Sequence, residues 1–160
     1  MKIALVYYSL EGNTELVANS IAKQLNPDVF RIHPVKDYPK GNFSKYLWGG
    51  KSVVMGETPA IEKTDFNPAN YDLVIIGTPI WASSFTPPIK TFLNENTLAN
   101  KKVALFTCNA GGGTKKCYDL FSAALPLAKV ITTLDLVDPK TKPKAEHEEQ
   151  IRQFCNTCIM

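Results

Sequence analysis

Ser9-Leu10-Glu11-Gly12-Asn13-Thr14 gathers two hydroxyls, an amide and a glycine into six residues directly after an apolar run. If the run is a strand and the next segment a helix, the helix N-terminus aims unpaired backbone N–H groups and a positive dipole end at this turn. That chemistry suits a phosphate. Gly12 can take φ > 0 and let the backbone curl around a small anion. The turn has no Lys or Arg of its own, and neither a Gly-Lys-Ser/Thr loop nor a GxGxxG pattern occurs, which argues against a nucleoside triphosphate and a dinucleotide fingerprint. Asn13 or Thr14 would equally serve as a plain helix cap. The position after a buried first strand, with two later loops in agreement, decides for a phosphate.

The first of those loops is Gly77-Thr78-Pro79-Ile80-Trp81-Ala82-Ser83-Ser84-Phe85-Thr86-Pro87-Pro88. Trp81 puts a large flat surface where a solvated loop is expected. It can stack on a planar ligand or pack inward as core. The second is Cys108-Asn109-Ala110-Gly111-Gly112-Gly113-Thr114. A strand-to-helix turn needs one glycine, whereas three in a row clear side chains from a place where something flat approaches the backbone.

Other candidates are weaker. Cys155-Asn156-Thr157-Cys158 is a CxxC motif, but zinc needs four ligands and a thioredoxin-like pair follows a first strand, so core cysteines are expected. Nothing points to a lowered pKa at Cys108. His33 and His147 lie in different elements and are expected at the surface or with their hydrogen bonds satisfied. No catalytic residue and no metal ligand is assigned.

The elements that must position these loops alternate regularly. Residues 3–8 form a continuous apolar run, as in a strand buried on both faces. Residues 14–25 have helical spacing, with Leu16, Val17, Ile21 and Leu25 on one face, ended by Asn26-Pro27. Residues 29–34 read as a second strand. In the connection 36–70, Phe43, Tyr46, Leu47 and Val54 suggest a helix weakened by Gly49-Gly50, with its aromatics packed on the sheet or overhanging the site. Strands are expected at 71–77, 102–107 and 130–136, with helices at 88–93, 115–125 and 144–158. The inward residues of the last two helices are Leu120, Phe121 and Ala124, then Ile151, Phe154 and Cys158. Parallel strands need such crossovers, so the fold class is α/β, with helices on both faces of the sheet and ligands at the carboxyl ends of the strands.

Composition agrees. The 160 residues are 44% apolar and 21% charged with net charge +3, enough for a single domain spanning 1–160. Scattered lysines argue against nucleic acid, and no apolar stretch is long enough for a membrane helix. Four cysteines are too few for a disulfide scaffold, and Met1 to Val6 reads as a strand with no leader before it, so a cytoplasmic protein is expected.

The Ser9–Thr14 turn resembles the phosphate loop of the flavodoxin family, whose usual form is (Thr/Ser)-x-x-Gly-Asn-Thr, and the resemblance covers essentially the whole chain. It implies a flavodoxin-like three-layer sandwich with a five-stranded parallel sheet in the order 2-1-3-4-5, and FMN as cofactor. Ser9, Leu10, Glu11, Gly12, Asn13 and Thr14 would then hold the phosphate. Thr78, Pro79, Ile80, Trp81, Ala82 and Ser83 would form the first flavin loop, with Trp81 matching its stacking residue. Cys108, Asn109, Ala110, Gly111, Gly112 and Gly113 would meet the pyrimidine edge and the other face.

Two departures stand out. The second loop has no aromatic, and Ala82-Ser83 stands where electron carriers of the family commonly have glycine and then an acidic residue. Ala82 is expected to resist φ > 0 by ~1–2 kcal/mol and so to weaken the one-electron-reduced flavin. With Ser83 and no carboxylate, full reduction is expected at a less negative potential.

Three functions remain open: a carrier exchanging electrons with a redox partner protein, an NAD(P)H-dependent reductase of quinones or similar small acceptors, and a non-redox binder of another phosphorylated ligand. The departures lean toward the reductase.

Overall fold

The computed structural model describes residues 1–39 and 44–160. Phe43, assigned above to a helix, lies outside them. Strand β1 (Ile3–Tyr7) is buried at every position, so no polar face interrupts its apolar sequence. It pairs in parallel with β2 (Asp28–Arg31) on one side and β3 (Leu73–Trp81) on the other. Strand β5 (Lys102–Asn109) pairs with β3, and β6 (Lys129–Val137) with β5, across a bulge at Val103/Ala104. A two-residue strand, β4 (Ser84–Phe85), folds back antiparallel on the end of β3. The sheet order is β2-β1-β3-β5-β6 with β4 beside this path. With β4 set aside, this is the expected order 2-1-3-4-5.

Helices cover both faces. On one, α1 (Asn13–Leu25) and α5 (Ala145–Ile159) bury Val17, Ala18, Ile21, Ile151 and Phe154 against Leu5, Ile75, Phe106 and Leu136. On the other, α3 (Pro87–Glu95) and α4 (Thr114–Ala124) bury Ile89, Phe92, Cys117 and Phe121 against Val6, Val74, Ile76 and Leu105. Successive strand residues point to opposite faces, so each strand feeds both cores.

Several expectations need correction. Leu16, expected on one face with Val17, Ile21 and Leu25, is exposed, as are Leu120 and Ala124, expected inward. The buried stripe of α1 is Thr14, Val17, Ala18 and Ile21, and that of α4 is Cys117 and Phe121, an i, i+4 pair. Helix α2 (Ser44–Val54) is present as expected and includes Gly49-Gly50.

Residues 78–81, expected as loop, continue β3 because Ile80 and Trp81 pair with Phe85 and Ser84. The two residues between, Ala82 and Ser83, stand at φ +47° and +61°. Two positive φ values in a two-residue connection make the turn that matches the twist of a hairpin. Ala82 therefore does not resist the left-handed region as expected; pairing on both sides holds it there. Cys108 and Asn109 likewise belong to the end of β5.

Candidate cofactor site

The site is built at the carboxyl ends of β1, β3 and β5. In the first turn Gly12 caps α1 with φ +94° and no side chain, so Ser9 supplies the capping oxygen. Its Oγ accepts from the Gly12 N–H at 3.1 Å and the Glu15 N–H at 3.2 Å. Ser9 thus holds two N–H groups of the first turn and keeps the turn curled at the N-terminus of α1, where the helix dipole favours an anion. Arg31, at the end of β2, bridges Glu15 at 2.5 Å and donates to the Ser9 carbonyl at 3.4 Å. Thr14 is buried and lines the same cleft as the Cys108 thiol. Burial pushes that thiol up to about 12, consistent with no reactive thiolate.

Trp81 packs edge-on against Tyr8 and Tyr38, with ring centroids 5.8 Å and 5.1 Å away. Gly49 of α2 lies over the ring so closely that a Cβ there would sit 3.0 Å from Trp81 Cε3. Tyr8, Tyr38 and α2 thus hold the indole in place while it still lines the cleft. Segment 36–70 contributes through these contacts.

The third loop is organised from beneath by Asp135, which the sequence reading missed. Its carboxylate accepts from Thr107 Oγ1 at 2.6 Å, Thr114 Oγ1 at 2.9 Å and Asn109 Nδ2 at 2.8 Å and 2.9 Å. With its N–H₂ so held, Asn109 turns its Oδ1 to the Gly111 and Gly112 N–H groups at 2.5 Å and 3.0 Å. Gly113, at φ +87°, closes the loop against the β3–β4 hairpin; a Cβ there would meet Ser83 Cα at 2.8 Å. The available signal was an acidic residue inside the strand Ile131-Thr132-Thr133-Leu134-Asp135-Leu136.

One cleft is lined together by Ser9, Leu10, Glu11, Asn13 and Thr14, by Pro79, Ile80 and Trp81, and by Cys108, Asn109 and Ala110. Asp138, after β6, joins them unforeseen. Gly12 makes the turn from behind. Thr78 is buried, and its hydroxyl lies 3.0 Å from that of Thr86, where it braces the hairpin. Ala82 and Ser83 form the hairpin tip, while Gly111 and Gly112 are exposed and open to any approach. Elsewhere, Cys155 and Cys158 are buried core residues, His33 is exposed, and buried His147 accepts from the Lys144 N–H at 3.3 Å.

The donor set fits an FMN-type group: converging N–H groups and hydroxyls at one end, an aromatic and apolar wall next to them, and a side-chain-poor loop opposite. A doubly wound α/β domain with its ligand cleft at the carboxyl ends of the strands is the class these features define. The chain belongs to the flavodoxin family, whose model, described as Flavodoxin, matches residues 2–153. Among solved structures, the chain is similar to a flavoprotein from Lactobacillus acidophilus NCFM in complex with FMN (23% identity, 93% of this chain and 97% of that one, TM-score 0.74). It is also similar to oxidised flavodoxin 1 from Bacillus cereus (17% identity, 99% and 97%, TM-score 0.67) and to two-electron-reduced Megasphaera elsdenii flavodoxin (22% identity, 96% and 98%, TM-score 0.56). No curated protein sequence matches the chain.

Proposed function

We propose that the protein transfers electrons through bound FMN. The convergence of the three strand-end loops on one cleft carries this reading. Residues Ser9–Thr14 would hold the phosphate, Trp81 would pack on the flavin ring, and Cys108–Gly113 would meet its pyrimidine edge. When bound, FMN supplies the redox chemistry; the protein supplies position and electrostatics. The FMN complex of the Lactobacillus acidophilus flavoprotein supports the cofactor. Buried, unpaired thiols suit a reducing compartment, and we place the protein in the cytoplasm. Among the described residues, no helix is long and apolar enough to cross a membrane.

A second reading, an FMN-dependent NAD(P)H reductase of small acceptors, draws support from the third loop. Ala110, Gly111 and Gly112 are exposed, and the loop carries no ring to cover a flavin face, which leaves room for a nicotinamide or a quinone. Ala82 already occupies the left-handed region, so it does not weaken the one-electron-reduced flavin. Ser83 puts no carboxylate at the hairpin tip, which favours full reduction at a less negative potential.

Purified protein is expected to bind FMN and turn yellow. A carrier then needs a separate reductase and passes through a semiquinone on stepwise anaerobic reduction. A reductase oxidises NAD(P)H by itself when a quinone is present. Protein that stays colourless in excess FMN refutes both readings and leaves only a different phosphorylated ligand.

A further inference from the structure

The phosphate turn has no cation in its own sequence, yet the fold brings one to it. Residues 138–142 cross from the end of β6 toward α5 as a tight turn, with the Thr141 and Lys142 N–H groups donating to the Asp138 carbonyl at 3.1 Å and 2.7 Å. This strap is tied to two of the three site loops. The Asp138 N–H donates to the Asn109 carbonyl at 2.9 Å, and the Lys140 N–H to Asn13 Oδ1 at 2.9 Å. The Lys140 side chain then folds over the first turn. Its ammonium donates to the Glu11 carbonyl at 3.0 Å and lies 2.8 Å from where a Cβ on Gly12 would be.

We infer that Lys140 is a phosphate-side binding residue and makes the site select a phosphorylated flavin over its unphosphorylated form. The charges around the turn support this. Glu11 and Glu15 add two carboxylates to the sequence of the turn and the start of α1, and like charges repel a dianion. Arg31 pairs with Glu15. Lys140 lies along the same outer groove as Gly12 and Glu15 and reaches the Glu11 backbone carbonyl, and an ammonium bonded to one carbonyl has two N–H groups left to give. The backbone anchor on Asn13 fixes the base of the side chain, so little of the strap has to be ordered on binding.

The inference rests on the FMN reading above, and its test separates the two. FMN and riboflavin are titrated separately, by quenching of flavin fluorescence, into the wild-type apoprotein, K140Q, K140R and, as a strap control, K142Q. Lys142 pairs with Asp138 on the same turn without touching the phosphate loop. For K140Q, the FMN dissociation constant is expected to rise about 5–20-fold, with riboflavin affinity and urea midpoint unchanged. K140R and K142Q should stay within about threefold of wild type, and the salt dependence of FMN binding should flatten in K140Q. FMN binding unchanged in K140Q overturns the inference, as does an equal loss of FMN and riboflavin, which would make the strap merely structural. If K142Q loses as much as K140Q, net charge is responsible and the inference falls. Wild-type protein that binds neither flavin overturns the function itself.

Discussion

Three side chains donate to Asp135, and none of them touches it by being near in sequence: Thr107 and Asn109 come from β5 and Thr114 from the start of α4. An amide at this position would present an N–H₂ to donors that need an acceptor. Asp135→Asn is therefore expected to cost about 2–3 kcal/mol of stability, within the range for hydrogen bonds to a charged group. Because Asn109 then loses its hold on Gly111 and Gly112, FMN affinity should drop about tenfold as well. Urea unfolding and a flavin titration check the two effects; a variant that loses stability but binds FMN as before would separate Asp135 from the loop. The three loops that line the cleft were legible from types and spacing, because small polar groups and glycines stand at fixed places after apolar runs. Asp135 and Lys140 were not, since each acts on residues far away along the chain.

Among the elements, the β3–β4 hairpin and the triple-glycine loop brace one another at Ser83 and Gly113. Alanine at 113 would meet the Ser83 backbone at 2.8 Å and hold a side chain at φ +87°. Gly113→Ala should destabilise the protein by about 2–3 kcal/mol, or about 4–12 °C in Tm for a chain of this length. Gly112→Ala, where a Cβ meets nothing within 4 Å, should stay within about 0.5 kcal/mol. Thermal unfolding of the pair is the check; equal losses would mean that the loops do not pack as described. The hairpin escaped the sequence reading because Ala-Ser is not among the turn pairs that announce one. Its geometry comes from pairing of Ile80 and Trp81 with Phe85 and Ser84, not from local preference. The exposed Leu16 and Leu120 have a related cause: helical spacing finds apolar residues, while the neighbouring strands decide which stripe is covered.

Over the whole molecule, all four cysteines are buried and unpaired. Burial raises Cys108, Cys117 and Cys158 from 9.0 to about 12, and Cys155 to about 11. Unfolded thiols ionise near 9 while the folded ones stay protonated, so above pH 9 the unfolded chain binds fewer protons and stability falls as pH rises. Each thiol contributes up to about 1.4 kcal/mol per pH unit in that window, and its contribution is complete below it. The urea midpoint should drop between pH 8 and pH 10, and Cys117→Ala should flatten the drop by one thiol's share; an unchanged midpoint would mean that the thiols are open to water in the folded state.

By itself, the amino-acid order determined the alternation of strands and helices, the three strand-end loops and the small polar residues and glycine of the first turn. These follow from neighbours a few residues apart, whose periodicity and backbone preferences are local. Only the tertiary structure decided that Trp81 is held by Tyr8, Tyr38 and Gly49, that Asp135 underpins the glycine loop, and that a lysine 127 residues beyond Asn13 closes over a turn with no cation of its own. The reason is the parallel sheet: its strand ends gather at one edge residues that the crossovers keep far apart along the chain.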